Sequence, residues 1–327
     1  MKAIVTGGAG FIGSHLVDRL VHDGHDVVVI DNLSNGKESN LELSRASIKF
    51  YNSCIHSDDD WKPELDNADW VIHLAALADI VPSIESPKDY YYSNVNGTFE
   101  VINNCNLKVL KKFVYAASAS CYGISTSIPT SESSTKSPEY PYAMTKLMGE
   151  DLAFHWNKVY KLPLISLRFF NVFGERSRTS GTYGAVFGTF LAQKLNNQPF
   201  TVVGDGNQTR DFTYVSDVVE GIMSSLNSKV MGEAINIGSG NPQSVNRLVE
   251  LLEGNVVNIP KRPGEPDITC ADISKAKKLL GWEPQVSFEK GVERLLENIH
   301  YWDDAPVWNE KTIEKATKSW FEHLDEK

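Results

Sequence analysis

A tyrosine and a lysine near the middle of the chain have the types and spacing of an acid–base pair. Tyr142 and Lys146 lie four positions apart, and on a helix this spacing places both side chains on one face. A tyrosine with the ordinary pKa of about 10 is a poor base at neutral pH, but a neighbouring cation would favour the phenolate. Tyr142 would then remove a proton from a substrate hydroxyl as hydride leaves the same carbon. An ordinary helix face shows the same spacing, so the pair needs support from elsewhere.

A serine at the end of an apolar segment gives that support. Residues 113–117 are apolar or aromatic and predict a strand that ends at Ser118. A serine there can hydrogen-bond the hydroxyl that Tyr142 would deprotonate, although strand-end serines also serve as plain turn residues. We predict that Ser118, Tyr142 and Lys146 are the catalytic residues of one site.

A glycine-rich turn near the N-terminus predicts a dinucleotide site. Gly7, Gly10 and Gly13 lie between a short apolar strand, residues 3–5, and a helical pattern over residues 14–20. The first glycine permits a tight turn, the second lets the backbone approach a pyrophosphate, and the third lets the helix pack against the strand. The N-terminus of the helix offers N–H groups and a positive dipole end to the phosphates.

An aspartate after the next strand indicates which dinucleotide binds. Residues 27–30 are Val-Val-Val-Ile, and Asp31 follows them. A carboxylate at this position accepts both hydroxyls of an adenine ribose. It would repel a 2′-phosphate, so we expect NAD rather than NADP as the cofactor.

Composition restricts the class of protein. Of 327 residues, 41% are hydrophobic and 23% charged, which is typical of a soluble globular protein with room for one large α/β domain and a smaller one. The net charge of −10 argues against a nucleic-acid binder. We expect no membrane span, since no apolar run approaches roughly 20 residues, and no signal peptide. The four cysteines are scattered, so we expect reduced thiols, no metal and a cytoplasmic location.

Strand and helix patterns alternate through the first 170 residues and predict a parallel sheet covered on both faces. Ligands of such sheets bind beyond the carboxyl ends of the strands, where Ser118 and the glycine-rich turn lie. Residues 234–238 predict one more strand, which returns to this sheet. The remaining candidate strands are residues 48–51, 70–74, 112–116 and 164–168, and helices are expected over residues 95–105 and 142–160.

We therefore expect an α/β fold: a Rossmann-type doubly wound parallel sheet with a smaller, interleaved C-terminal α/β substrate domain. The expected NAD-binding domain is residues 1–170, with a returning segment near 213–240. The expected substrate-binding region is residues 171–212 and 241–327.

The C-terminal tail predicts a packed terminal helix. Ala305-Pro306 ends the preceding helix, and Asn309 is a suitable N-cap for a final helix that ends near Leu324. Five apolar side chains then fall near helical spacing: Trp308, Ile313, Ala316, Trp320 and Leu324. Packing within the subunit is the main interpretation, and contact with a partner or a second subunit is the alternative.

With these motifs together, the chain resembles the extended short-chain dehydrogenases/reductases of the nucleotide-sugar epimerase/dehydratase family, and most of all the UDP-glucose and UDP-N-acetylglucosamine 4-epimerases. The resemblance extends from residue 1 to about 293. Besides the residues above, it rests on the segments 31–36, 73–76, 94–98, 168–174, 204–206, 209–215, 236–238 and 262–265.

This resemblance implies further site residues and partners. The substrate is expected to be a nucleotide-diphosphate sugar, the assembly a homodimer and the pathway polysaccharide biosynthesis. Ser118, Asn171, Arg210, Arg262 and Glu265 are expected to bind the substrate, with the arginines on the phosphates. The expected cofactor-binding residues are Gly7, Gly10, Phe11, Ile12, Gly13, Asp31, Asn32, Ser34, Asn35, Gly36, Ile55, Leu74, Ala75, Ala76, Asn94, Tyr142 and Lys146.

Two residues after Ser118 bear on the reaction. The resemblance implies that hydride moves between sugar carbon 4 and NAD through a 4-keto intermediate. Sugar 4,6-dehydratases of the family carry Asp-Glu after the catalytic Ser or Thr, and the decarboxylases keep the Glu. This chain has Ala119 and Ser120, so both reactions lack an acid–base group. We expect a 4-epimerase; the alternatives are a 4-dehydrogenase that releases the keto sugar, a 4,6-dehydratase and a non-enzymatic dinucleotide sensor.

Two positions bear on the identity of the sugar. In the epimerases that this chain resembles, a bulky residue at position 269 excludes 2-acetamido groups, whereas Thr269 is small. We expect an N-acetylated sugar to fit. Asp79 is a carboxylate beside the expected sugar site, and the resemblance assigns it no role.

Overall fold

In a computed structural model, which describes residues 1–57, 60–177 and 186–324, strands and helices alternate along the chain. The strands are β1 (Lys2–Thr6), β2 (Asp26–Asp31), β3 (Ile48–Asn52), β4 (Trp70–His73), β5 (Lys112–Ser118), β6 (Leu164–Phe169), β7 (Val172–Phe173), β8 (Phe200–Val203), β9 (Thr209–Arg210), β10 (Thr213–Tyr214), β11 (Glu233–Ile237), β12 (Gln243–Ser244) and β13 (Val256–Ile259).

The α-helices differ in length from 5 to 20 residues. They are α1 (Phe11–His22), α2 (Ile80–Glu85), α3 (Pro87–Tyr91), α4 (Gly97–Asn103), α5 (Pro141–Tyr160), α6 (Val186–Leu195), α7 (Val215–Asn227), α8 (Val245–Leu252), α9 (Ser274–Leu280), α10 (Phe288–Glu297), α11 (Glu310–Ala316) and α12 (Lys318–Leu324). None of the described helices combines the length and the apolar character that crossing a bilayer requires.

Seven strands form the central sheet, in the order β11-β6-β5-β4-β1-β2-β3, and every pairing is parallel. Side chains alternate between the two faces of a strand. In β1, Ala3 and Val5 pack with one core cluster, which includes Ile222 of α7, whereas Ile4 packs with the opposite cluster, which includes Val101 of α4. The predicted doubly wound parallel sheet is therefore confirmed.

The returning strand is confirmed as well. β11 lies at the edge of the sheet, where Ile235 pairs with Leu167 of β6. The chain thus leaves the sheet after β6, forms β7 to β10, and comes back through α7 to β11. The strands that follow, β12 and β13, then pair with β9 and β8. This path brings β9 and the segments beside it close to the carboxyl ends of the sheet strands.

The tail differs from the single predicted helix. Asn309 does form the predicted N-cap, as part of a capping box with Thr312, but α11 ends at Ala316 and α12 begins at Lys318. Thr317 lies between them, and its hydroxyl donates to the carbonyl of Ile313 at 2.9 Å, a type of bond that bends helices. The break lets Ile313 pack against β8 and β13 while α12 packs against α2.

Candidate active site

A single cleft at the carboxyl edge of the sheet collects nearly all of the predicted site residues. Its volume is about 1090 Å³, which is above the usual range for one drug-sized ligand. It begins at the glycine-rich turn, passes Ser118 and Tyr142, and continues to Arg210 and Arg262. A cleft of this size can hold a dinucleotide and a second nucleotide end to end.

The glycine-rich turn requires glycine at its first and third positions. Gly7 has a φ of +72°, and a Cβ there would lie 2.7 Å from the backbone nitrogen of Ala75. A Cβ on Gly13 would overlap the carbonyl oxygen of Gly7. The N-cap of α1 is Gly10, so no side chain of that residue covers the first N–H groups of the helix. The turn therefore suits the pyrophosphate of a dinucleotide.

Asp31 is held in place at the end of β2. Its Oδ2 accepts the N–H of Ala9 at 3.0 Å and its Oδ1 the N–H of Leu33 at 2.8 Å. Burial raises the pKa of Asp31, and these two hydrogen bonds oppose that rise. The carboxylate lines the cleft and keeps acceptor capacity on both oxygens, as the binding of two ribose hydroxyls requires.

The other predicted cofactor residues line the same cleft with one exception. Asn94 lies behind the wall, in a π-helical turn, Tyr92–Asn96, and is almost fully buried. Its side chain accepts the N–H of Leu77 at 2.8 Å, and its amide donates to the Leu77 carbonyl and to the hydroxyl of Thr145. The lining residues are Phe11, Ile12, Asn32, Ser34, Asn35, Gly36, Ile55, Leu74, Ala75 and Ala76.

Tyr142 lies on the first turn of α5 and faces the end of β5. Burial raises the pKa of Tyr142, hydrogen bonds from Ser118 and Ser120 lower it, and the charge of Asp79 raises it. Ser118 and Ser120 are themselves 2.7 Å apart through their hydroxyl oxygens. Ser118, predicted from its place at a strand end, and Tyr142 are thus in contact.

Lys146 is more deeply buried than Tyr142. It is 5% exposed, and its Nζ lies 4.5 Å from the ring centre of Tyr115. Burial lowers the pKa of Lys146 to about 7, and the charge of Glu150 opposes this change. The burial of Lys146 thus opposes the positive charge that the sequence predicts beside Tyr142.

We expect Lys146→Met to raise the melting temperature by a few degrees at pH 6. The pKa of Lys146 is lower in the folded state, so its charge opposes folding fully below about pH 7. The penalty fades as the pH rises toward 10.5, the ordinary lysine value. The difference between the variant and the wild type should therefore shrink from pH 6 to pH 9 in thermal unfolding. A variant less stable than the wild type at pH 6 would contradict this account.

The predicted substrate residues cluster at the far end of the cleft. Glu265 lies between two arginines, with Oε1 3.3 Å from Nε of Arg262 and Oε2 3.7 Å from Nη2 of Arg210. β9, which carries Arg210, is paired with β12 and bridged to Ile268. Two guanidinium groups beside one carboxylate leave a positive excess for a diphosphate.

Asn171 is joined to this end by a hydrogen bond. Its Oδ1 accepts the hydroxyl of Thr269 at 3.2 Å, and the same hydroxyl accepts the N–H of Asp211 at 3.0 Å. Asn171 and Thr269 both line the cleft.

Ser120, Tyr140 and Trp320 line the cleft and contact predicted site residues or their neighbours, although they are not among the predicted residues. Ser120 hydrogen-bonds Ser118, and Tyr140 stacks on Tyr142 with parallel rings 6.4 Å apart. Both stand two positions from a predicted residue, which was an available signal. Trp320 arrives from the tail, and no local pattern connects it with a site near residue 140.

Proteins of known family are similar to this chain over most of its length. The model of the NAD-dependent epimerase/dehydratase family matches residues 3–238. The chain is 35% identical to the UDP-glucuronate 4-epimerase of Thermodesulfobacterium geofontis, across 89% of this chain and 94% of that protein. It is 31% identical to the UDP-N-acetyl-α-D-glucosaminuronate decarboxylase of Bacillus cytotoxicus, across 90% and 97%.

A solved structure is similar over nearly the whole chain. It is the UDP-glucuronic acid 4-epimerase of Bacillus cereus in complex with UDP-glucuronic acid and NAD. The two share 34% identity with a TM-score of 0.86, covering 92% of this chain and 99% of that one.

Proposed function

The chain belongs to the NAD-dependent epimerase/dehydratase family, and we propose that within this family it is an NAD-dependent UDP-sugar 4-epimerase. Family membership confirms the prediction of an enzyme with NAD as its cofactor. The relatives named UDP-sugar 4-epimerases support the specific reaction. The observation that carries the proposal is the composition of one cluster: Ser118, Ala119, Ser120, Tyr142 and Lys146.

In this cluster, Tyr142 is the proton acceptor and donor. Ser118 and Tyr142 are in contact and would hold the hydroxyl on sugar carbon 4 between them. When bound, NAD would supply the acceptor and then the donor of hydride at carbon 4, and inversion requires the 4-keto sugar to turn in the cleft between the two transfers. Tyr142 takes the hydroxyl proton in the first half and gives it back in the second. Lys146 would orient the cofactor and adjust the charge near Tyr142.

No carboxylate follows Ser118 along the strand end. Ala119 and Ser120 form the short helical turn there, and the side chain of Ser120 is occupied with Ser118. Loss of water or of carbon dioxide from the keto sugar needs a further acid–base group near carbons 5 and 6. The lack of a carboxylate at positions 119 and 120 favours the epimerase, although a decarboxylase is among the relatives at 31% identity.

The test is an incubation of the purified protein and NAD⁺ with UDP-, GDP-, CDP- and dTDP-linked sugars, followed by NMR and by NADH absorbance. We expect a 4-epimer of a UDP-sugar and no net NADH. Stoichiometric NADH with a 4-keto product would replace the proposal with a 4-dehydrogenase. A 4-keto-6-deoxy product would identify a 4,6-dehydratase.

We propose a neutral, N-acetylated sugar as the preferred substrate. Asp79 lines the cleft, and its charge acts on Tyr142, so a carboxylate on the sugar would be repelled nearby. Thr269 lines the same cleft with a small side chain. UDP-N-acetylglucosamine should therefore turn over faster than UDP-glucuronate.

Thr269→Tyr should lower kcat/KM for UDP-N-acetylglucosamine at least about tenfold more than for UDP-glucose, since a lost fit in a pocket costs about 1–3 kcal/mol. Steady-state kinetics with both substrates measures this ratio. Thr269→Val is the control, because it keeps the side-chain size and removes only the hydroxyl, which contacts Asn171 and the N–H of Asp211. An equal loss on both substrates would contradict the assignment of position 269.

We also propose a homodimer built on α4 and α5. The exposed apolar side chains on and beside these helices support it: Tyr91, Met144, Val159 and Tyr160. Light scattering during size-exclusion chromatography would test the assembly.

We also propose a cytoplasmic location and a role in polysaccharide biosynthesis. The four cysteines are unpaired, as expected in a reducing compartment.

We assign the dinucleotide to residues 1–170 with the segment 213–240. The nucleotide sugar is assigned to residues 171–212 and 241–327, of which 178–185 and 325–327 lie outside the described residues.

A further inference from the structure

The C-terminal tail crosses from one side of the cleft to the other. On the substrate side, Ile313 of α11 is buried against Val203 and Ile259, and the carbonyl of Trp308 accepts the side-chain amide of Gln193 at 2.8 Å. On the dinucleotide side, α12 packs against α2. The tail is therefore attached to both halves of the site.

Trp320 is the tail residue that reaches the cleft. It is 2% exposed and lines the cleft beside Glu265 and Arg262. The guanidinium carbon of Arg262 lies 5.1 Å from the centre of its ring, within the range of a cation–π contact. The indole N–H donates to the carbonyl of Pro263 at 2.8 Å.

The same indole also approaches the catalytic helix. Its ring centre lies 6.4 Å from that of Tyr140, and Tyr140 stacks on Tyr142. Trp320 thus contacts a predicted phosphate ligand, the backbone of the loop that carries it, and the aromatic neighbour of the catalytic tyrosine. Stacking on an aromatic face fixes the plane in which a guanidinium can offer its hydrogen bonds.

We propose that Trp320 is a positioning residue for the nucleotide diphosphate. It holds Arg262 and the 262–265 loop in the orientation that binds the phosphates, and so the tail is part of the substrate site. This inference rests on the proposed function for the identity of the ligand. It does not depend on which reaction follows.

The experiment measures the Kd of UDP, and of GDP in parallel, by isothermal titration calorimetry in the presence of NAD⁺. Trp320→Ala should weaken nucleotide binding about 10- to 50-fold and raise KM similarly, with kcat changed less than about threefold. Trp320→Phe keeps a ring over Arg262 and loses the N–H bond, so its loss should be smaller. Lys318→Ala, on the exposed surface of α12, is the matched control and should bind like the wild type.

A double-mutant cycle separates positioning from a general structural role. Because Trp320 acts through Arg262, Trp320→Ala with Arg262→Ala should bind nucleotide no more weakly than Arg262→Ala alone. Additive losses, or wild-type affinity in both Trp320 variants, would overturn the inference. A preference for GDP would overturn the uridine assignment, and the Kd ratios of the variants to the wild type, measured with GDP, would still test Trp320. A wild type that binds neither nucleotide would overturn both the proposed function and the role of Trp320.

Discussion

Tyr142→Phe should lower kcat by on the order of 10³, within the usual range for loss of a general acid–base group. The substitution removes only the phenolic oxygen that contacts Ser118. The ring, which stacks on Tyr140, stays in place, so the fold and the cleft should persist. We therefore expect the Kd values of NAD⁺ and UDP to change less than about threefold. Steady-state kinetics and calorimetry on the same preparation measure both effects.

Tyr140→Phe is the matched control for this experiment. The two tyrosines stack in parallel and both approach Ser120, but only Tyr142 contacts Ser118. The control should therefore retain at least about a tenth of the wild-type kcat. Equal losses in both variants would argue that the aromatic stack, rather than the oxygen of Tyr142, supports the reaction. Full kcat in Tyr142→Phe would show that another group moves the proton.

The parts of this site that the sequence predicts are those built from local spacing. Gly7, Gly10 and Gly13 form one turn, and Tyr142 and Lys146 form one helix turn. Ser118 and Asp31 end strands, and parallel strands bring their ends to one edge of the sheet. Each of these arrangements needs only a few neighbouring residues and the rule of the parallel sheet.

The missed features depend on contacts between distant segments. Trp320 contacts Arg262 because the chain bends at Thr317, and the helical spacing of the tail does not predict that bend. Asn94 is a predicted cofactor residue, and a π-helical turn that local spacing does not predict directs its side chain to Leu77, behind the wall of the cleft. Depth of burial is equally non-local, so the lowered pKa of Lys146 follows from the packing of β5 against α5 rather than from its neighbours in sequence.

A buried ion pair between α5 and β6 connects stability with the proposed site. Glu150 of α5 and Arg168 of β6 are 1% and 4% exposed at their side chains, with Oε2 and Nη2 2.8 Å apart. Glu150 also accepts the hydroxyl of Ser166 at 2.6 Å, and Arg168 donates to the hydroxyl of Tyr122 at 2.8 Å. The charge of Glu150 raises the pKa of Lys146, one helical turn away.

Glu150→Gln should lower the free energy of unfolding by about 3–5 kcal/mol, because it leaves the guanidinium of Arg168 buried without a counter-ion. Urea unfolding at pH 7 measures the loss. Adding Arg168→Met should recover part of it, since the unpaired charge is then gone. Asp151→Asn, which alters an exposed neighbour paired with Lys136, is the control and should cost less than about 1 kcal/mol.

The same variant should move the pH profile of the enzyme. Without the charge of Glu150, the pKa of Lys146 in the free enzyme falls further below about 7, so the limb of kcat/KM that titrates with this lysine should shift to lower pH. If Glu150→Gln is stable and its pH profile does not shift, the charge of Glu150 does not act on the site. A shift together with an unchanged free energy of unfolding would instead show that Arg168 finds another partner, for which the hydroxyl of Tyr122 and the carbonyl of Glu132 are in place.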